Sequence, residues 1–191
     1  MISIGITGII GSGKSLVCKI FEIFEIPVYN ADKRAGMLMN TDANIRECLI
    51  SYFGEGVYFD NKINKSFLSD KIFNSEVHRK HVNSIVHPVV LTDFIKWKEK
   101  QETNLVIIES ALLYEAKIDE FIDFVIFVES PEHLLLRRII ERDKITEEDA
   151  RKRILSQSNN SCLQIKSDFL ILNDEKHSLI EQSINILNLV K

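Results

Sequence analysis

The feature that most constrains this chain lies in its first 24 residues. "ISIGIT" at 2–7 is an apolar, β-branched run of the kind buried on both faces of a parallel sheet, and "GIIGSGKS" at 8–15 follows it directly, ahead of helical spacing over 15–24. The pattern G-x-x-x-x-G-K-[ST] arises by chance about once in 150 to 200 chains of this length at ordinary composition. A strand before it and a helix after it make it specific, because binding a phosphate chain needs both. Glycines let the backbone turn tightly and present successive N–H groups, and the helix start adds unsatisfied donors and the positive end of its dipole. Gly8, Ile10, Gly11, Ser12, Gly13, Lys14, Ser15 and Leu16 are therefore the candidate nucleotide-phosphate-binding positions. Lys14 would bridge β- and γ-phosphate oxygens during transfer, and Ser15 would place its hydroxyl on Mg²⁺.

Four more runs repeat the buried-strand pattern: "IPVYNA" (26–31), "LVIIES" (105–110), "FVIFVE" (124–129) and "FLILN" (169–173). Helical segments separate them. Ser130-Pro131-Glu132 offers an N-cap hydroxyl and a first-turn proline, and Thr146 with Asp149 offers a second cap. Strands alternating with helices predict an α/β fold, a doubly wound five-stranded parallel sheet of the P-loop NTPase or nucleotide-kinase type. The stretch from Met37 to Gln101, ~65 residues mostly of helical character, is too long for an ordinary crossover. One domain is expected, with core segments 1–36, 102–130 and 159–191, a helical insertion over 37–101 that either binds substrate or merely extends the core, and paired helices over 131–158, the place of the lid in kinases of this architecture.

Composition excludes several classes. With 24 Lys+Arg against 28 Asp+Glu the formal charge is −4, which offers no broad basic face to nucleic acid or an anionic membrane. No apolar run approaches the ~20 residues that span a bilayer, and no secretory signal is read at the start. Cys18, Cys48 and Cys162 are far apart and lack C-x-x-C spacing, so neither a zinc site nor a disulfide framework is expected, and a reducing cytoplasm fits. The guanine signature [NT]-K-x-D is missing, as is any LSGGQ-like stretch, which makes a small-molecule kinase the leading class.

The chain resembles the dephospho-CoA kinase family. The resemblance runs nearly end to end, through "TGIIGSGKS", "IPVYNADKRA", "VNSIVHP", "ESALLYE", "RRIIERDKITEEDARKRILSQ" and "DFLILN". It implies transfer of the ATP γ-phosphoryl group, with Mg²⁺, to the ribose 3′-hydroxyl of the small-molecule partner dephospho-CoA. A monomer or weak homo-oligomer is implied. Asp32 matches the acid that faces the acceptor hydroxyl. His87, Leu112, Leu113 and Glu115 match acceptor-side positions, although core packing accounts equally well for the two leucines. Glu109 could support Mg²⁺ through water or orient a loop. Arg138 and Arg142 match the spaced lid arginines that face the transferring phosphoryl group; a solvated, ion-paired helix surface is the plainer reading of the same charges. Asn173 falls where an adenine-facing loop would start, and Gln157 matches a family residue of unassigned role.

The chain departs from the family pattern at Ile9 (usually Gly), Asn30 (usually Asp), Glu109 (usually Asp) and Ala111 (usually Pro), and an arginine usual after His87-Pro88 is missing. Any crowding by Ile9 is expected on the acceptor side. A kinase of another small metabolite and a catalytically idle nucleotide sensor stand as alternatives.

Overall fold

β1 (Ile2–Thr7) forms the middle of a five-stranded parallel sheet because both of its faces are apolar: Ile4 and Ile6 point to one side and are fully buried. The computed structural model describes residues 1–73, 75–158 and 166–190; Cys162 lies outside them. α1 (Lys14–Ile23), β2 (Val28–Asn30) and α2 (Ala31–Thr41) follow. α3 (Ala43–Phe53), a hairpin of β3 (Tyr58–Phe59) and β4 (Lys62–Ile63), α4 (Lys65–Phe73) and α5 (Glu76–Lys98) come next. The chain then runs through β5 (Leu105–Glu109), β6 (Phe124–Glu129), α6 (Glu132–Asp143), α7 (Glu147–Ser158), β7 (Phe169–Leu172) and α8 (Leu179–Leu189).

The strand order is β2-β5-β1-β6-β7. β1 pairs with β5 from Ile2 opposite Leu105, and with β6 from Ile4 opposite Phe124. The chain leaves β1 for β2 on one side and crosses from β5 to β6 on the other, so the winding reverses at the carboxyl end of β1, where open α/β sheets bind ligands. One face of the sheet packs Ile4, Ile6, Ile107, Ile126, Val128 and Ile171 against Val17, Cys18 and Phe21 of α1 and Ile186 of α8. Each such side chain contributes about 1.5–3 kcal/mol of burial. On the other face a Cβ at Gly5 would meet Leu113 Cδ1 at 2.4 Å and Ile122 Cδ1 at 2.5 Å, so glycine lets the 110–122 segment lie against the sheet.

The chain divides into two compact units, Met1–Tyr29 with Gln101–Lys191, and Asn30–Lys100. The second unit takes in the whole of α2, whereas the expected core reaches to residue 36. Within it Arg34 of α2 grips Asp93 of α5 through two bonds of 2.7 and 2.6 Å, around a core of Ile45, Leu49, Val57, Val86, Val90 and Phe94.

Three local expectations change. The 26–31 run yields a strand only over Val28–Asn30, because Asn30 caps α2 by accepting the Lys33 N–H at 2.8 Å. The β3–β4 hairpin interrupts the helical insertion; its turn residues Asp60 and Asn61 have φ of 48° and 59°, the left-handed pair that suits a tight hairpin. Pro88 lies inside α5. Ser130 caps no helix: α6 starts at Glu132 with no side-chain cap, and the Ser130 hydroxyl donates to the Asn173 carbonyl at 2.7 Å instead. Thr146 and Asp149 do form the expected cap: the Thr146 hydroxyl accepts from the Asp149 N–H at 3.2 Å and donates to the Asp149 carboxylate at 2.7 Å.

Candidate active site

The glycine loop joins β1 to α1, and α1 starts at Lys14 with no side-chain cap. The first amides of a helix have no intrahelical partner, so this start is a cluster of donors with the positive dipole end behind it. Gly13 holds the turn at φ 95°, and a Cβ there would stand 2.1 Å from Asn173 Nδ2. That closeness serves a bond: Asn173, buried at the end of β7, donates from Nδ2 to the Ser12 carbonyl at 2.7 Å. The Lys14 ammonium folds over the loop and donates to the carbonyls of Gly8 at 2.8 Å and Ile9 at 3.3 Å. The Ser12 hydroxyl is buried without a hydrogen-bond partner among the described residues.

α6 and α7 hold the loop from its other side. A Cβ at Gly11, whose φ is 83°, would meet the Leu135 carbonyl at 3.0 Å and Ile139 Cγ1 at 3.1 Å. Ile9 and Ile10 pack on Leu135, Leu136, Ile139, Ala150 and Ile154, so Ile9 is taken up by the helix pair. The Ile10 N–H donates to Gln157 Oε1 at 2.8 Å. Arg138 gathers the Gly11 carbonyl (3.3 Å), the Ser130 hydroxyl (2.9 Å), the Asn173 side chain (3.3 Å) and Glu175 (3.3 Å). Arg142 lies outside this network and pairs with Asp143 at 2.7 and 3.0 Å. Those bonds, with Arg153 on the same carboxylate, hold Asp143 below the usual carboxylate range.

Glu109 ends β5 and is 6% exposed. The Ser15 hydroxyl donates to its Oε1 at 2.5 Å. A hydroxyl and a carboxylate side by side are the hard oxygen donors that Mg²⁺ takes, so the pair fits that ion. Nearby Cys18 is inert: burial first, then the charges of Glu109 and Glu22, push its thiol well above its ordinary range.

The remaining candidates fall on the 110–115 segment or in the other unit. Leu113 is 1% exposed and packed on Gly5, a core residue. Leu112 is half-buried, with its N–H on the Ser110 hydroxyl at 3.2 Å, and Glu115 is exposed. The Tyr114 hydroxyl is buried and pushed up to about 12, by burial and then by Asp119 and Asp168. In the second unit Asp32 occupies the first turn of α2, exposed, two residues after the cap Asn30. His87 is half-buried in α5, and burial pulls its imidazole below the ordinary value. Sequence reasoning missed Gln157, Ser130 and Glu175 as partners of the loop network; the first was visible only as a matched position, and the second read as a cap.

A doubly wound parallel sheet, a glycine loop leading into an uncapped helix, and a buried carboxylate on the loop's serine define a kinase of the phosphate-loop class. Residues 2–178 match the family model described as dephospho-CoA kinase, and the chain belongs to that family. A protein of Porphyromonas gingivalis named dephospho-CoA kinase is 37% identical over 192 residues, covering 100% of this chain and 95% of its own. A crystal structure of a Thermus thermophilus protein superposes with a TM-score of 0.83 at 25% identity, covering 99% of this chain and 95% of that one. A dephospho-CoA kinase from Campylobacter jejuni gives 0.70 at 25% identity, with 98% and 96% covered.

Proposed function

We propose that the protein phosphorylates the ribose 3′-hydroxyl of dephospho-CoA with ATP, giving coenzyme A and ADP, the last step of coenzyme A synthesis. The observation that carries this reading is the Ser15–Glu109 pair at the foot of an uncapped helix, in a chain that belongs to this family over residues 2–178. The amides of the loop and of the first turn of α1 hold the phosphates, with Gly8, Ile10, Gly11, Ser12, Gly13 and Leu16 shaping the seat. Lys14 exchanges its two loop carbonyls for β- and γ-phosphate oxygens, which offer a full charge where the carbonyls offer a dipole. Ser15 and Glu109 hold Mg²⁺, which when bound neutralises phosphate charge. Asp32 orients the attacking hydroxyl and accepts its proton.

Asn30 supports that assignment rather than weakening it. Asn and Asp are equivalent N-caps, so Asn30 keeps the start of α2, and Asp32 with it, in place. Arg138 acts as a tie between loop, β6 and Asn173, and Arg142 is the arginine available to neutralise the transferring group by leaving Asp143. His87, Leu112 and Glu115 are offered to the acceptor, and Asn173 closes the adenine side. The same reading makes the enzyme a cytoplasmic monomer or weak homo-oligomer with no nucleic-acid or membrane partner. Among the described residues no helix is long and apolar enough to cross a membrane.

The test is ADP release from Mg·ATP with dephospho-CoA, adenosine, AMP or gluconate as acceptor. Stimulation by dephospho-CoA alone, with coenzyme A as product, is expected; equal or greater stimulation by another acceptor would overturn the assignment. Asp32→Asn is expected to lower kcat at least ~100-fold with little change in ATP affinity, and near-normal turnover would remove Asp32 from the reaction.

A further inference from the structure

The Ile10 amide sits at the apex of the phosphate loop, and a phosphate loop works by keeping its N–H groups aimed before the ligand arrives. Here the apex is held from outside the loop. Gln157, near the end of α7, accepts the Ile10 N–H at 2.8 Å. Ile9 and Ile10 are seated on the apolar cluster between α6 and α7. Gly11, at φ 83°, lies so close to the backbone of Leu135 that a Cβ there would crowd its carbonyl at 3.0 Å. One hydrogen bond, one apolar seat and one backbone contact, all from the same helix pair, converge on three consecutive loop residues.

We propose that Gln157 is a positioning residue for the nucleotide. Its amide oxygen binds the Ile10 N–H and thereby directs the apex peptide, so that the amides of Gly11 and of Gly13 to Ser15 face the phosphate seat, while the Ser12 N–H closes the turn on the Ile9 carbonyl at 3.0 Å. Without the acceptor the Ile10 N–H would be left unsatisfied beside an apolar cluster, and the apex would turn to find water or a carbonyl. Ile9, the residue this chain carries in place of a glycine, deepens the apolar seat and belongs to the same device. The helix pair is therefore a cradle that sets the loop's conformation before any closure over bound substrate. This deepens the nucleotide-site reading above and rests on it.

The test compares Gln157→Leu, of similar size without an acceptor, with Gln157→Glu, which keeps one, and with Gln157→Ala, which removes it without adding methyl groups. Amide exchange at Ile10 in the nucleotide-free protein is the first readout. Wild type and Gln157→Glu should protect this N–H, while Gln157→Leu and Gln157→Ala should exchange it at least about tenfold faster. The second readout is ADP affinity by titration together with ATP kinetics. Gln157→Leu and Gln157→Ala should weaken ADP binding and raise KM for ATP about 5- to 10-fold, with kcat at saturating ATP within about threefold of wild type. That split separates positioning from general damage to the fold. Unchanged Ile10 exchange, or unchanged ADP affinity, in both acceptor-less variants would overturn the proposal. If wild type bound no ADP, the functional reading would fall, and Ile10 exchange alone would still decide whether Gln157 holds the loop.

Discussion

Gly13 shows how much of the site rests on single atoms. Its φ of 95° is a conformation that costs a residue with a Cβ about 1–2 kcal/mol, and its missing Cβ makes room for Asn173 Nδ2, which would otherwise be 2.1 Å away. Gly13→Ala is therefore expected to lower stability by at least about 1–2 kcal/mol in urea unfolding and to abolish ADP binding. Asn173→Ala relieves the clash but frees the Ser12 carbonyl, so the double variant should be less destabilised than the sum of the two single changes. An additive result would show that the two residues do not meet. Glu109 makes a second case at this scale. Glu109→Gln keeps an acceptor for the Ser15 hydroxyl while removing the charge, and should raise the Mg²⁺ concentration for half-maximal activity about 10- to 100-fold. No change in Mg²⁺ requirement would leave Glu109 with a loop-orienting role only.

At the scale of elements, the second unit is organised by how α2 meets α5. The Arg34–Asp93 pair is partly shielded and doubly bonded, a geometry stronger than an ordinary surface ion pair. Because α2 carries Asp32, cutting the pair should disturb catalysis more than folding. Arg34→Ala and Asp93→Ala are each expected to reduce kcat several-fold, and the double variant no further than the worse single, as measured by steady-state kinetics in a double-mutant cycle. α5 also carries His87, whose folded-state pKa is lowered by burial. The unfolded chain then binds more protons than the native one as pH falls through imidazole's ordinary value, so His87 contributes a stability that is complete above about pH 6.5 and lost below it. Between about pH 7.5 and about pH 5.5, wild type should lose more thermal stability than His87→Gln. Parallel melting curves for the two would show that His87 is not desolvated. Of these elements, the strands and α1 were legible as apolar runs bounded by glycine and capping residues. The β3–β4 hairpin was not, because strands of two residues carry no periodicity.

For the whole molecule, the nucleotide should act as a clamp on one unit. The loop's partners come from β5, α6, α7 and the end of β7, all within the unit formed by Met1–Tyr29 and Gln101–Lys191. Saturating ADP at about 100 times its Kd adds about 2.7 kcal/mol, or roughly 5–10 °C for a chain of this size. Lys14→Ala should lose most of that shift, and hydrogen exchange should show the added protection over α1, α6 and α7 more than over α3 and α4. A full shift in Lys14→Ala would place the nucleotide elsewhere.

By itself the sequence determined the five strands, the glycine loop, the uncapped start of α1 and the class of chemistry, since each is a short-range matter of side-chain period, turn geometry and backbone donors. The tertiary structure decided who holds the loop. Asn173 reaches Ser12 across 161 positions of chain and Gln157 reaches Ile10 across 147. The same closure makes Ser130 a tie to Asn173 instead of a cap, and it buries Leu113 against Gly5. Partners so far apart in sequence are chosen by where the sheet and its helices come to rest, because a buried donor or acceptor takes whichever complementary atom packing brings within reach.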